Sequence, residues 1–250
     1  MLLHGFPDYW YSWRRQIPAL AAAGYRVVAP DLRGYNLSER PRGVAQYRMD
    51  ALAGDVARLV ESFGGRARAI VGHDWGGAIA WELAMRRPAL LEALVALNAP
   101  HPAAFRRELR RPGQLLRSWY ALAFQLPWLP ERVLAAGDFA LLRRILRKGP
   151  AGDEVDAYLR VFSPPGALTS ALHYYRAVLR YPPGRSVPIA LPTLLLWGNR
   201  DPFLGPKLAD GLEERVPALK VVRLEDAGHW LQLTHPEPVN RAIIEFLNRD

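Results

Sequence analysis

The chain contains no cysteine. That absence removes disulfide scaffolds, thiol nucleophiles and cysteine-ligated metal centres from consideration. No run of about 18 uncharged apolar residues occurs, so no membrane-spanning helix is expected. Internal repeats, low-complexity linkers and the motifs of DNA- or RNA-binding modules are also missing, and nucleic acid is not an expected partner in spite of a net charge of +9. Most of that charge is arginine spread along the chain. It is locally dense only in FRRELRRPG, Phe105 to Gly113, which reads as a solvated basic helix face. Met1-Leu2-Leu3 leads at once into motif residues, which leaves no room for a signal peptide and makes a cytoplasmic location the expectation.

What is present is a globular composition, 50% hydrophobic and 23% charged over 250 residues, enough for one α/β domain with an inserted lobe. Short apolar runs at Tyr25 to Ala29, Ala67 to Val71, Leu94 to Leu97, Thr193 to Trp197 and Leu219 to Leu224 predict strands. Helical patterns at Ala51 to Phe63, Ala78 to Arg87, Lys207 to Arg215 and Pro238 to Asn248 alternate with them. Such alternation predicts a mainly parallel sheet covered on both faces. Between Asn98 and Pro192 the pattern is helical, aromatic and punctuated by proline. Residues 101–189 are therefore expected to form a helical lid inserted into an α/β core made of residues 1–100 and 190–250.

The stretch AIVGHDWGGAIAWELAMRRP, Ala69 to Pro88, has the build of a strand, a tight turn and a helix, with small residues two before and two after Asp74. The nucleophile elbow of α/β-hydrolases is built this way, usually around a serine. An aspartate there is already ionised near neutral pH, since its ordinary pKa is about 3.9. A carboxylate is a weak nucleophile, so its target must be a saturated carbon with a strained or good leaving group. An epoxide carbon and a carbon bearing a halide both qualify.

In that fold the nucleophile, acid and histidine follow in this chain order. Asp74, Asp201 in LLLWGNRDPFL and His229 in AGHWLQLTHPE do so. Singly, an aspartate after a strand is a turn former and a lone histidine a surface residue; the ordered triple around an elbow predicts a catalytic set. The HGFP turn at His4 follows an apolar strand, and a backbone N–H there, with the one after the nucleophile, predicts an oxyanion hole formed by Phe6 and Trp75. His73 is expected to be structural, and His101, His173 and His235 to be packing or surface residues.

Taken together, HGFPDYWYSW, PDLRGYNLSERP, VGHDWGG, NAPHP, FQLPWLPE, HYYR, LLLWGNRDPFL and AGHWLQLTHPEPVN resemble the epoxide hydrolases of the α/β-hydrolase superfamily, over residues 2 to 247. The resemblance implies hydrolysis of a small apolar epoxide by water to a vicinal diol, through an aspartyl ester on Asp74, with no cofactor and no metal. It implies that two lid tyrosines grip the epoxide oxygen: Tyr120 in YALAFQLP, and Tyr175 in LHYYRAVLR, with Tyr174 as the alternative register. Trp75 would also border the substrate. A haloalkane or haloacid dehalogenase also uses an aspartate elbow, though a leaving halide needs no hydroxyl donors. A catalytically silent homologue is the remaining reading, because relatives carry two more strands before HGFP. On that comparison the N-terminus is shortened, and Tyr25 to Pro30 is expected to be an exposed, destabilising sheet edge.

Overall fold

Alternation of side chains along a strand lets a run that is apolar at every position bury both faces of a sheet. The sequence uses this in three central strands. In the computed structural model, which describes residues 1–147 and 154–248, β1 (Leu2–Leu3), β2 (Ile70–His73), β3 (Leu94–Leu97), β4 (Thr193–Gly198) and β5 (Leu219–Leu224) form one sheet in the order β1-β2-β3-β4-β5. Every neighbouring pair is parallel. Ile70, Leu94, Ala96, Leu195 and Trp197 project into one core, and Val71, Val95, Leu97, Leu194 and Leu196 into the other.

Helices cover both faces. The amphipathic helix α1 (Gln16–Ala22) and the C-terminal helix, whose Val239, Ile243 and Phe246 are buried, close the second core. On the opposite face lie α2 (Met49–Ser62) and α3 (Trp75–Arg86), which bury Leu52, Val56, Val60, Ile79 and Trp81. Between β3 and β4 the described residues hold six helices and no strand: α4 (Pro102–Glu108), α5 (Pro112–Arg117), α6 (Trp119–Ala123), α7 (Leu129–Arg147), α8 (Val155–Phe162) and α9 (Ala167–Arg180). The long α7 is broken at Ala136 to Phe139, where Gly137, Asp138 and Phe139 have positive φ. Two more helices, α10 (Leu231–Thr234) and α11 (Pro236–Leu247), end the fold.

Three expectations need correction. Tyr25 to Ala29 is extended but is not a strand, because a strand exists only by its ladder. Its neighbour β1 is two residues long, and the contact between them is the bond from Leu2 N–H to Val28 C=O at 2.8 Å. Nor is Lys207 to Arg215 a helix. Pro206–Ala209 makes one 3₁₀ turn, after which Gly211, at φ +66°, turns the chain away. Strand β2 also starts later than the apolar run suggests, with Ala67 joined to Leu91 only by an isolated bridge.

The helical segment is tied together by one buried arginine. Arg176 on α9 makes a two-pronged ion pair with Glu131 on α7, at 2.7 and 3.0 Å, and donates to the carbonyls of Phe124 and Leu126 at 2.9 and 2.8 Å. Its side chain is 5% exposed. Removing one partner of a buried pair leaves the other charged and dry, which costs about 3–5 kcal/mol. Arg176→Met is therefore expected to lower the unfolding free energy by about that amount in urea denaturation. Adding Glu131→Leu should recover part of the loss, since the orphaned carboxylate is then gone.

Candidate active site

All five strands run in the same direction, so their C-terminal ends deliver five loops to one edge of the sheet, where open α/β sheets bind ligands. After β2 comes Asp74, held at φ +52°. That backbone is strained for a residue with a side chain, and the close approach around it excludes anything larger than glycine. A Cβ on Gly72 would lie 2.4 Å from the carbonyl oxygen of Gly76, and one on Gly76 would meet the carbonyl of Leu3. The elbow thereby aims the Asp74 carboxylate out of the sheet.

After β1 comes the HGFP turn, with a cis peptide between Phe6 and Pro7. His4 fixes its shape, its Nε2 accepting from Leu32 N–H at 3.0 Å while Nδ1 lies 3.0 Å from the carbonyl of Gly5. Burial holds the His4 pKa down, which suits a neutral ring with the proton on Nδ1. Phe6 N–H then donates to Oδ1 of Asp74 at 2.8 Å. The N–H groups of Phe6 and Trp75 both help to keep this carboxylate charged.

Asp201 and His229 arrive from the loops after β4 and β5. Nδ1 of His229 is 2.7 Å from Oδ2 of Asp201, and Nε2 is 3.8 Å from Oδ2 of Asp74. Oδ1 of Asp201 accepts from the N–H groups of Phe203 and Leu204 at 2.7 and 3.0 Å. Burial works against charge on every member of this line. At Asp74 it wins, and the carboxyl pKa is raised in spite of the nearby His229 and His73 and the two N–H donors. At Asp201 burial is outweighed by the His229 charge and by hydrogen bonds, and the pKa is lowered. At His229 burial is outweighed by the charge and hydrogen bond of Asp201 and by the charge of Asp74, and the pKa is pushed up to about 9.

This line has two further supports, of which His73 is the histidine expected to be structural and Asn98 carries no sequence signal of its own. Asn98, fully buried after β3 at φ +38°, donates to Oδ2 of Asp201 at 2.5 Å and accepts from Gly198 N–H at 2.7 Å. Its Nδ2 also lies 3.3 Å from the carbonyl of Gly228, so one amide joins the ends of β3 and β4 to the histidine loop. His73 Nε2 sits 2.9 Å from the backbone carbonyl of His229, and His73 Nδ1 is 3.3 Å from the buried Asp8 carboxylate. Trp230 Nε1 donates to the other Asp8 oxygen at 3.2 Å. The remaining histidines stand apart. His101 caps α4 through Ala103 N–H, His173 packs on Tyr47, and His235 contacts Thr234.

Above the carboxylate is a cavity of about 810 Å³ walled by Phe6, Phe124, Leu134, Ile145, Phe203 and Trp230 together with other apolar side chains. Asp74, His229, Tyr120 and Tyr175 all open into it. Tyr120 and Tyr175 pack edge to face, with ring centroids 5.9 Å apart, and burial followed by the Asp74 charge raises the pKa of both phenols. Each hydroxyl therefore keeps its proton. Tyr174 points elsewhere and donates to the carbonyl of Arg33 at 2.7 Å, so it is Tyr175 that faces the carboxylate. Trp75 packs edge to face on Tyr175, ring centroids 4.9 Å apart, with its indole within reach of the Tyr175 hydroxyl.

The backbones carrying the two tyrosines brace each other. Gln125, five residues after Tyr120, donates to the carbonyl of Tyr175 at 2.9 Å, and Arg176 next to Tyr175 holds the carbonyls flanking Gln125. Among the described residues no cluster of histidine and carboxylate side chains is arranged to hold a metal ion.

The sequence profile of the α/β hydrolase fold matches residues 1–236. The AB hydrolase superfamily protein YfhM of Bacillus subtilis is 41% identical, covering 99% of this chain and 89% of that protein. Human epoxide hydrolase 4 is 38% identical, over 100% of this chain and 72% of its own length. The crystal structure of a Bacillus megaterium epoxide hydrolase variant complexed with its product, a naphthyloxy propanediol, superposes with a TM-score of 0.92 at 36% identity, covering 99% of this chain and 92% of that one.

The raised pKa of His229 has a stability consequence of definite sign. The folded state binds this proton more tightly than the unfolded chain, whose histidines titrate near pH 6.5. The stabilisation is complete below that value and is lost as the pH rises through about 9. His229→Gln is accordingly expected to be less stable than wild type at pH 6, with the gap closing by pH about 10 in urea melts. In NMR titrations Asp201→Asn should move the His229 midpoint below about 6.5, because burial is then less opposed.

Proposed function

The chain belongs to the epoxide hydrolases of the α/β-hydrolase fold, and from that premise we propose how its own residues divide the hydrolysis of an epoxide to a vicinal diol. Asp74 attacks a ring carbon of the epoxide. The carbon–oxygen bond breaks, an alkyl ester forms on Asp74, and the ring oxygen leaves as an incipient alkoxide that takes up the proton His229 carries at neutral pH, leaving a neutral imidazole. Tyr120 and Tyr175 donate hydrogen bonds to that oxygen as its charge develops. One donor placed in this way is typically worth roughly 10² to 10³ in rate. The helices of residues 101–189 act as the lid that carries both tyrosines.

In the second half-reaction His229, oriented by Asp201, takes a proton from water, and the resulting hydroxide equivalent adds to the carbonyl of the Asp74 ester. The tetrahedral oxyanion faces the N–H groups of Phe6 and Trp75. Its collapse breaks the ester, frees the diol, returns Asp74 as a carboxylate and leaves the proton on His229. The substrate is an apolar epoxide, since the cavity offers hydrocarbon and aromatic walls with few polar groups beyond the reacting ones.

The single observation that carries this division of labour is the meeting of two protonated phenols with one carboxylate and one imidazole around the same apolar space. Halide displacement has no use for the phenols, because a leaving halide needs no proton.

The ester is testable directly. In a single turnover with excess enzyme in ¹⁸O-labelled water, the first diol should carry no label, its new oxygen having come from Asp74. Label in that diol means that water attacks the epoxide itself and sinks the mechanism. His229→Gln should accumulate the ester, seen as substrate mass on the intact protein. Tyr120→Phe and Tyr175→Phe should each slow ester formation by roughly 10² and together nearly abolish it. Alkylation at wild-type rates in the double variant would make the tyrosines packing residues only.

A further inference from the structure

A surface helix ordinarily shows water a polar face. The stretch from Trp119 to Pro130, WYALAFQLPWLP, contains no charged side chain, although it runs along the outside of the molecule. Its inner side is already spent, because Tyr120 and Phe124 line the cavity and the amide of Gln125 is turned inward onto two carbonyls. The outer side is apolar as well. Trp119 is 66% exposed, Trp128 61% and Leu122 61%. Leu116, Leu126 and Val133 are exposed and also line the cavity, so they form its mouth. Exposed apolar patches that are continuous and ringed by polar groups mark interaction surfaces.

The charge around this patch is mainly basic. From Pro102 to Arg147 nine residues are arginine and three are acidic. Exposed Arg110 precedes the uncharged stretch and Arg132 follows it, its guanidinium 4.9 Å over the Trp128 ring, whereas Arg111 is paired with Glu108 and Arg117 is turned inward onto the carbonyl of Asp201. Tryptophans and leucines framed by arginines are the composition of an element that lies in a lipid interface. A second copy of this chain would instead bring two arginine-rich rims face to face.

We propose that this face of the lid docks on an anionic lipid bilayer, Trp119, Leu122 and Trp128 entering the headgroup boundary while the flanking arginines meet lipid phosphates. The mouth of the cavity then opens onto the bilayer. Resting in this part on the epoxide-hydrolase reading, the substrate class is an epoxide on a long apolar chain that partitions into membrane and slides into the site without crossing water. No helix of the described residues is long and apolar enough to span a membrane, so the association is peripheral.

The test uses the whole protein and sedimentation with sucrose-loaded vesicles, without substrate. Vesicles of equimolar phosphatidylglycerol and phosphatidylcholine should bind it at least about tenfold more tightly than phosphatidylcholine alone, and added salt should weaken the binding. Trp128→Ser and Leu122→Gln, neither of which lines the cavity, should each reduce partitioning roughly tenfold, with turnover of styrene oxide in solution unchanged. Arg132→Glu should reduce it by about tenfold or more through the reversed charge. Failure of the wild-type protein to bind anionic vesicles, or equal binding by wild type and both apolar variants, overturns the proposal. So does a wild-type dimer in sedimentation equilibrium that Trp128→Ser disperses, which gives the face to a second copy. Binding without any epoxide turnover would sink the reaction reading and leave the docking surface standing.

Discussion

A carboxylate that the proposed reaction needs ionised, set in an apolar cavity, is the constraint on which the rest of this molecule depends. Burial alone would push a proton onto Asp74, and its pKa is indeed raised. What opposes this is an arrangement that no single loop can build. Phe6 N–H comes from the end of β1, Trp75 N–H from the start of α3, His229 from the loop after β5, and Asp201, which charges His229, from the loop after β4. The parallel sheet is what gathers them, because five strands running one way put five loops at one edge. Asn98 then fastens three of these loops with one side chain, its amide acting as donor to Asp201 and acceptor from Gly198.

A second constraint is set by the helical segment between β3 and β4, whose two tyrosines come from stretches far apart in the chain. Hydroxyl donors help a developing alkoxide only if they are already in place when the charge appears. Here each segment fixes the other, Gln125 from below the Tyr175 backbone and Arg176 from beside it. The brace uses backbone carbonyls as its acceptors, so the positions of the rings do not depend on contacts between the rings alone. Rigidity inside the lid is compatible with an outer surface of tryptophan and leucine, because the polar groups that organise the segment all face inward.

How far the sequence could be read follows from whether the signal is local. The elbow is legible because close approach and strained φ force glycines at fixed offsets from Asp74, and β3 and β4 are legible because a strand buried on both faces must be apolar throughout. Asn98 was visible only as part of NAPHP, since an asparagine after a strand looks like any turn former until its buried partners are known. The pair of Asp8 and His73 is hidden for the same reason. Tyr25 to Ala29 has strand composition, yet a strand is a relation between two segments, and its partner here is too short to sustain a ladder. Tyr174 and Tyr175 are adjacent on one helix and point about 100° apart. Composition cannot choose between them; the carbonyl of Arg33 and the cavity do.

The same electrostatics that hold the nucleophile ready also couple the two halves of the proposed reaction. With Asp74 ionised, His229 lies between two carboxylates and is protonated at neutral pH, when it is useless as a base. Ester formation turns Asp74 into a neutral group. One of the charges raising the His229 pKa then disappears and the pKa falls, while burial, the largest influence, continues to lower it and Asp201, which contributes more than Asp74, continues to raise it. In the proposed reaction His229 thus gives up its proton more readily when the opened ring needs one, and the imidazole left behind is the base for the water that attacks the ester. Passage of that proton toward the alkoxide balances the first step, and the proton taken from water in the second restores the imidazolium. Hydrolysis of the ester regenerates the Asp74 charge, which raises the His229 pKa again and keeps the imidazole from competing for the next substrate. A single charge, present or absent on Asp74, therefore sets which half of the reaction the site is prepared to perform.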